Sequence, residues 1–190
     1  MLFMSLRCFR FGKFFALLAA TLFSSLCASA HPLLLPVATT PYDRQLERVQ
    51  PVLVSVSEQP VGFVSLKVVN RWMHWLRRIH YRYCAEWKTL AEVNAERRAD
   101  CKGKALALYE VMQAIGATNV RLVIGKYRLG DAATHTWLEW RTLDGTYILD
   151  PTFHRAATKE RPNNYSYIPL YAYEGEQKFQ AFDAVLFTQN

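Results

Sequence analysis

The chain has 190 residues, of which 51% are apolar and 21% are charged, so it can bury a core and is not intrinsically disordered. This length predicts a single domain. The formal net charge is +7, and its basic residues are too few and too scattered to indicate nucleic-acid binding.

Residues 1–30 have the pattern of a secretory signal. Three basic residues precede an apolar stretch over 14–23, and Ala28-Ser29-Ala30 is a cleavage site of the small-x-small type. Cleavage after Ala30 leaves 20 basic and 16 acidic residues, a net charge of +4. The sequence therefore predicts a periplasmic or secreted protein without a stable membrane span, with one domain over 31–190. The alternative is an uncleaved anchor, since no charge interrupts residues 14–30.

The first part of the predicted domain is an extended arm followed by helices. Residues 31–42 hold three prolines and no helical period, and a short helix interrupted at Pro51 is predicted over 45–54. Apolar residues at helical spacing then predict an amphipathic helix over 61–79. Its predicted buried stripe consists of Val64, Val68, Trp72, Leu76 and Ile79.

Two further helix starts are marked by capping residues. The segment Thr89-Leu90-Ala91-Glu92 is a capping box that opens a short helix ending near residue 98. Asp100 is the predicted N-cap of a helix over 101–115, which Gly116 ends in the left-handed conformation. Cys101 lies in the first turn of this helix, on the same inward face as Ala105, Leu108, Met112 and Ile115.

After Gly116 the apolar period changes to two, which is typical of strands. The predicted strands are 120–124, 134–141 and 146–150, and the aromatic-rich tail over 165–187 supplies one or two more around Pro169. Asp144-Gly145 marks a turn between the second and third strands. Helices followed by strands predict an α+β domain with an antiparallel sheet.

Cys101, His135 and Asp150 are the candidate catalytic residues. A cysteine at a helix N-terminus lies beside unpaired N–H groups and the positive end of the dipole, which favour the thiolate. The same N–H groups can later bind an oxyanion. A histidine can take the thiol proton, and a carboxylate can fix its tautomer. Each residue alone also has an ordinary structural interpretation, so the prediction depends on their order on a helix and two neighbouring strands.

Three segments of the chain resemble motifs of the transglutaminase-like superfamily. They are Asp100-Cys101-Lys102-Gly103-Lys104-Ala105, His135-Thr136-Trp137-Leu138-Glu139 and Tyr147-Ile148-Leu149-Asp150-Pro151-Thr152. The preceding stretch, from Val69 through Glu92, resembles the bacterial transglutaminase-like cysteine peptidases, so the match covers about residues 67–153.

The resemblance implies a papain-like core in which a catalytic helix packs on an antiparallel sheet. It further implies an exported cysteine hydrolase or acyltransferase acting on amide or peptide bonds. Cys101 would be the nucleophile, His135 the base and Asp150 the orienting carboxylate. The expected substrates are a protein, a peptide or a peptidoglycan stem peptide.

The turn between the second and third strands decides whether His135 can reach Asp150. A two-residue turn at Asp144-Gly145 would place His135 opposite His154 and leave Asp150 about 13 Å away. A triad requires pairing centred near Thr142-Leu143, through a longer loop or a bulge. Because of the family resemblance we expect the longer loop.

The chain departs from the family pattern after the cysteine. Calcium-dependent members of that peptidase branch have an acidic residue there, and this chain has Lys102, so no metal or other cofactor is expected. The oxyanion donor beyond the Cys101 backbone is not fixed by a motif. Trp87 is a candidate through its indole N–H, and the alternative is a packed aromatic side chain.

The alternative function is a non-catalytic binding or assembly module of the same fold. Signal cleavage leaves only Cys84 and Cys101, and two cysteines in an exported protein are typical of a disulfide. Such a bond would remove the nucleophile. The number of free thiols therefore distinguishes the enzyme from the module.

Overall fold

The computed structural model describes residues 32–55, 64–161 and 166–182. The predicted secretory signal over 1–30 lies outside the described residues, so the signal and its boundary with the domain stay predictions. Within the described ranges, no helix has the length and apolar character needed to cross a membrane.

The helices precede most of the strands along the chain. The described part holds α1 (Asp43–Leu46), α2 (Gln50–Leu53), α3 (Leu66–Arg78), α4 (Leu90–Glu96) and α5 (Cys101–Ala114). A 3-10 turn over Glu47–Val49 separates α1 from α2. Pro51 therefore stands in the first turn of α2, where its missing N–H is not needed, and does not interrupt a longer helix.

The buried face of α3 differs from the predicted stripe. The fully buried residues are Val69, Met73 and Leu76, whereas Val68 and Trp72 are only half-buried. The two tryptophans of the helix, Trp72 and Trp75, pack edge to face at 5.6 Å on its flank. Large aromatic rings tolerate partial exposure to solvent, so Trp72 and Trp75 can lie at the edge of the core. The flexible Met73 side chain fills the buried position between the helix and the core. The predicted residues 61–63 lie outside the described ranges.

The predicted caps of α4 and α5 are confirmed. Thr89 accepts a hydrogen bond from the Glu92 backbone, and the Glu92 side chain accepts one from the Thr89 backbone. The Asp100 carboxylate accepts a hydrogen bond of 3.1 Å from the Gly103 N–H. Gly116 follows α5 with φ 80°, as expected for a glycine that ends a helix.

Seven of the described strands form one antiparallel sheet in the order β1-β9-β8-β4-β5-β6-β7. These are β1 (Leu34–Pro36), β4 (Val120–Arg128), β5 (His135–Thr142), β6 (Gly145–Leu149), β7 (Thr158–Lys159), β8 (Ser166–Glu174) and β9 (Gln177–Ala181). Two short strands, β2 (His80–Tyr81) and β3 (Arg98–Ala99), form a separate parallel pair. The predicted α+β class, with a helix packed on an antiparallel sheet, is confirmed.

The two faces of the sheet bury different sets of side chains. One face packs against the helices in the main core, to which it contributes Leu122, Ile124, Leu138, Leu149, Tyr171 and Tyr173. The other face carries a smaller cluster of Val123, Trp137, Ile148, Tyr167 and Ala172. α5 is buried along almost its whole length, as its many apolar residues require. The first residue of this buried helix is Cys101.

Strand β8 contains a bulge where it pairs with β4. Ile124 pairs with Tyr171, but Gly125 pairs with Pro169, so Leu170 is an extra residue on β8. A Cβ atom at position 125 would lie 2.1 Å from the Ile168 carbonyl oxygen. Only glycine allows the two backbones to approach this closely.

Replacing Gly125 by alanine should therefore destabilise the domain by about 2–3 kcal/mol, because the new methyl group meets backbone that cannot move cheaply. The midpoint of thermal unfolding should fall by roughly 5–10 °C. Gly130→Ala is the matched control, since a Cβ there meets nothing within 4 Å. Equal midpoints for the two variants would contradict the close approach of β4 and β8.

Candidate active site

The start of α5 is tied to the loop that follows β2. The buried carboxylate of Asp100 accepts hydrogen bonds from Gly103 N, at 3.1 Å, and from Cys84 N, at 3.2 Å. The Lys102 ammonium forms an ion pair with the same carboxylate and donates to the Cys84 carbonyl oxygen at 2.9 Å. These bonds fix the backbone on both sides of Cys101. Because Cys101 lies in the first turn, its own N–H has no acceptor within the helix.

His135 and Asp150 lie on the same face of the sheet at one end of β5 and β6. His135 is the first residue of β5, and Asp150 directly follows β6. The last pair of these strands joins Leu138 to Leu149, so Asp150 comes diagonally opposite His135. His135 Nε2 and Asp150 Oδ2 are 2.8 Å apart.

The predicted longer loop between β5 and β6 is wrong. Thr142 pairs with Gly145, so the turn consists of two residues, Leu143 and Asp144, and lies between the two predicted alternatives. The Thr142 hydroxyl donates to the Gly145 carbonyl oxygen and accepts from the Asp144 N–H, which closes the turn. Gly145, with φ 122°, supplies the conformation at the start of β6. The tight turn still gives a register that brings His135 and Asp150 together.

The Asp150 carboxylate is completely buried, and donors surround both of its oxygens. Oδ1 accepts from Thr152 N at 2.8 Å and from Phe153 N at 3.4 Å. Oδ2 accepts from the Tyr167 hydroxyl at 2.8 Å in addition to its bond with His135. Burial alone would raise the pKa of Asp150, but the bond and charge of His135, with the Tyr167 and Thr152 donors, hold it below its usual value. The carboxylate is therefore ionised at neutral pH.

The His135 imidazole is held as a cation. Burial disfavours the charged ring, but hydrogen bonds to Asp150 and to the Cys101 thiol outweigh it and raise the pKa of His135 to about 9. Since Asp150 occupies Nε2, the nitrogen left for the thiol is Nδ1. The rings of Trp137 and Phe153 stack on the imidazole at centroid distances of 6.1 and 4.8 Å. This arrangement can keep a proton on the imidazole and a negative charge on the neighbouring sulfur.

Three further side chains near these residues were not predicted from the sequence. Tyr167 contacts Asp150, and its only sequence signal is its place in an aromatic-rich tail. Tyr81, on β2, lies near Cys101, and burial together with the neighbouring Cys101 and Asp100 raises the pKa of its hydroxyl. Phe153 stacks on His135 although about half of its surface is exposed. None of the three has a motif that marks it in a single sequence.

Lys104 is a buried ammonium one helical turn after Cys101. Burial, reinforced by the positive charge of Arg77, lowers the pKa of Lys104 to about 8, while the Asp150 carboxylate acts in the opposite direction. Lysine is rarely buried without an ionic partner. The attraction between the Lys104 ammonium and the Asp150 carboxylate is a favourable charge interaction for this lysine.

Trp87, the candidate oxyanion donor, is almost completely buried in the main core. Its indole Nε1 has no hydrogen-bond partner within the described residues, and the same is true of Trp137 Nε1. The Arg48 guanidinium donates to the Trp87 carbonyl oxygen at 2.7 Å and fixes the backbone there. An unpaired buried N–H is costly, so a ligand oxygen that reached it would be favoured.

Both cysteines of the described ranges, Cys84 and Cys101, are free thiols. Cys101 is the more buried of the two. Across the described ranges, no group of three or more His, Cys, Asp or Glu side chains is arranged to hold a metal ion.

Three solved structures of LapG from Legionella pneumophila are similar to this chain in fold. The EGTA-treated form aligns with a TM-score of 0.53 and 17% identity, covering 77% of this chain and 81% of LapG. The calcium-bound form gives 0.52 and 17%, covering 75% and 81%, and a third LapG structure gives 0.51 and 17%, covering 78% and 85%. No family model matches the chain, and no curated protein matches its sequence.

This chain therefore has the fold of LapG, and the α+β class expected from the sequence is confirmed. At 17% identity the likeness establishes the fold and leaves the chemistry of this chain to be argued from its own residues.

Proposed function

We propose that this chain is an exported cysteine peptidase or amidase that works through Cys101, His135 and Asp150. The observation that carries the proposal is the 2.8 Å bond between His135 Nε2 and Asp150 Oδ2, with Cys101 close enough to the same imidazole to raise its pKa. A nucleophile, a base and an orienting carboxylate in this order can cleave amide bonds by covalent catalysis.

In the proposed reaction the Cys101 sulfur attacks the carbonyl carbon of an amide or peptide bond. The C–N bond breaks, and the imidazolium of His135 donates its proton to the leaving amine, which leaves a thioester on Cys101. Water then attacks the thioester while neutral His135 takes a proton from it. The acid product leaves, the sulfur regains its electron pair and the imidazolium is restored. An amine in place of water would give transamidation.

The negative oxygen of the intermediates needs donors near the start of α5. The Cys101 N–H, unpaired within its helix, is the first candidate. The Trp87 indole N–H is the second, because it is buried without a partner in the described residues. The proposal includes no metal ion, since the Lys102 ammonium lies beside Asp100.

Two observations support export and a peptide substrate. Residues 1–30 have the pattern of a secretory signal, and the motifs of this chain resemble those of the bacterial transglutaminase-like cysteine peptidases. The proposed substrates are therefore protein, peptide or peptidoglycan stem-peptide amide bonds outside the cytoplasm.

The proposal can be tested with a peptide library made from a bacterial proteome. The purified protein should cut a subset of the peptides, and mass spectrometry should locate new termini that share a sequence preference. Protein treated beforehand with iodoacetamide is the control and should cut none of them. Cleavage that survives the alkylation would contradict a thiol mechanism.

The alternative, a binding module with Cys84 and Cys101 oxidised, has one structural observation in its favour. The Cys84 backbone is bonded to Asp100, the residue before Cys101, so the two cysteines lie in neighbouring segments. Titration of thiols in the exported, unreduced protein distinguishes the two functions. Two free thiols support the peptidase, and no free thiol supports the module.

The activity should decline at alkaline pH. His135 has a raised pKa of about 9, and only its protonated form can protonate the leaving amine. For a peptide that the library identifies, kcat/KM should therefore fall to half its plateau at about pH 9 and keep falling above it. A decline already complete at pH 7 would mean that the imidazole is not held as a cation.

A further inference from the structure

The Tyr167 hydroxyl and the His135 ring meet on one carboxylate oxygen. Tyr167 Oη and His135 Nε2 each lie 2.8 Å from Asp150 Oδ2. Backbone N–H groups occupy the other oxygen, Oδ1. Tyr167 is thus a second side chain, beside His135, that forms a hydrogen bond with this carboxylate.

The bulge in β8 moves Tyr167 to the face of the sheet that holds Asp150. Partners in an antiparallel pair share a face, and a shift of one residue exchanges the faces. Tyr171 and Tyr173, beyond the bulge, belong to the core on the helix side. Tyr167 has the same parity along β8, yet it belongs to the cluster on the opposite face. Without the extra residue Leu170, its hydroxyl would point away from Asp150.

The backbone of Tyr167 is held in an unusual conformation. Its φ of 62° lies in the left-handed region, which a bulky residue rarely adopts. Its ring packs edge to face against Tyr127 at 5.1 Å and against Trp137 at 5.2 Å. Strained conformations of this kind persist where surrounding packing holds them, and they cluster at functional sites. The bulge opposite Gly125 and the left-handed backbone of Tyr167 together determine where this hydroxyl lies.

We propose that Tyr167 is a positioning residue that fixes the Asp150 carboxylate and limits how strongly that carboxylate holds the proton of His135. The inference rests on the proposed function. A second donor on Oδ2 prevents the carboxylate from rotating away from the ring. It also draws negative charge away from the oxygen that faces His135. The pKa of the imidazolium is then lower, and the ring gives its proton to a leaving amine more readily.

The Tyr167 hydroxyl remains a donor throughout the neutral range. Burial and the adjacent Asp150 charge both raise its pKa, so it does not ionise in the range where the proposed reaction runs. Phenylalanine preserves the ring contacts and removes the donor alone. Tyr167→Phe is therefore the informative variant, and Tyr171→Phe, which removes the hydroxyl of a buried tyrosine on the same strand and the other face, is its control.

The first measurement needs no substrate. NMR titration of protein with labelled histidine should give a His135 pKa near 9 in the wild type and in Tyr171→Phe, and a higher value in Tyr167→Phe. With a cleaved peptide, kcat of Tyr167→Phe should fall about tenfold with KM little changed. In an Asp150→Asn background, Tyr167→Phe should add nothing, because the residue acts through Asp150.

Two outcomes would overturn the proposal. One is a Tyr167→Phe variant with the wild-type His135 titration and the wild-type kcat. The other is a variant with lower kcat and a lower unfolding midpoint but an unchanged titration, since that pattern describes a merely structural role. Failure of the proposed function would look different. The wild-type protein would then cut no peptide, whereas the His135 titrations of the wild type and Tyr167→Phe would still show whether Tyr167 acts on the pKa of His135.

Discussion

Replacing Cys101 by alanine is expected to abolish peptide cleavage, with kcat/KM lowered at least about 10⁴-fold. In the proposed reaction the sulfur forms the covalent intermediate, and of the two thiols in the described residues Cys101 is the one that raises the pKa of His135. The thiol is buried and small, so the alanine variant should keep its fold and its circular dichroism spectrum. The measurement is kcat/KM on a peptide that the wild type cleaves.

Cys84→Ala is the matched control for this variant. It removes the other free thiol, whose backbone rather than its sulfur is bonded to Asp100. It should keep most of the wild-type activity. Turnover retained in Cys101→Ala, or lost equally in both variants, would contradict the mechanism.

Replacing Asp150 by asparagine is expected to lower kcat/KM by about 10²–10⁴-fold, as removal of the charge from such triads does. The amide keeps the size of the side chain but removes the charge that holds the imidazolium. The pKa of His135 should then fall from about 9 toward its usual value, because the charge and the hydrogen bond of Asp150 both raise it. Kinetics and NMR titration measure the two effects on the same variant.

Asp144→Asn is the control, since this aspartate is exposed in the β5–β6 turn. It should leave both the rate and the titration of His135 unchanged. If Asp150→Asn kept the wild-type titration, the ring would not depend on this carboxylate, and the role assigned to Asp150 would fail.

The sequence predicts those parts of the molecule that local chemistry determines. The capping box at Thr89 and the N-cap at Asp100 are confirmed because each cap is completed within three residues. The change to a period of two after Gly116 likewise predicts the central strands, β4 to β6. These local signals sufficed for the fold class and for the position of Cys101 at the start of a buried helix.

One local feature was wrong, and features that depend on distant segments were missed. The β5–β6 turn is a tight turn centred on Leu143-Asp144, which the Thr142 hydroxyl closes, whereas the family resemblance had favoured a longer loop centred near Thr142-Leu143. The contact between Tyr167 and Asp150 depends on a bulge opposite Gly125, and a bulge leaves no pattern in one sequence. The buried stripe of α3 shifted because tertiary packing selected Met73 over Trp72.

The rate at which iodoacetamide modifies each cysteine tests most directly whether Cys101 and His135 act together. Exposure alone favours Cys84, since Cys101 is the more buried of the two. At pH 6 we expect Cys101 to react at least about 100-fold faster than Cys84, because only a thiolate reacts and the imidazolium of His135 stabilises it. In His135→Ala that advantage should disappear. Equal rates for the two cysteines in the wild type, or an advantage that survives in His135→Ala, would contradict the account.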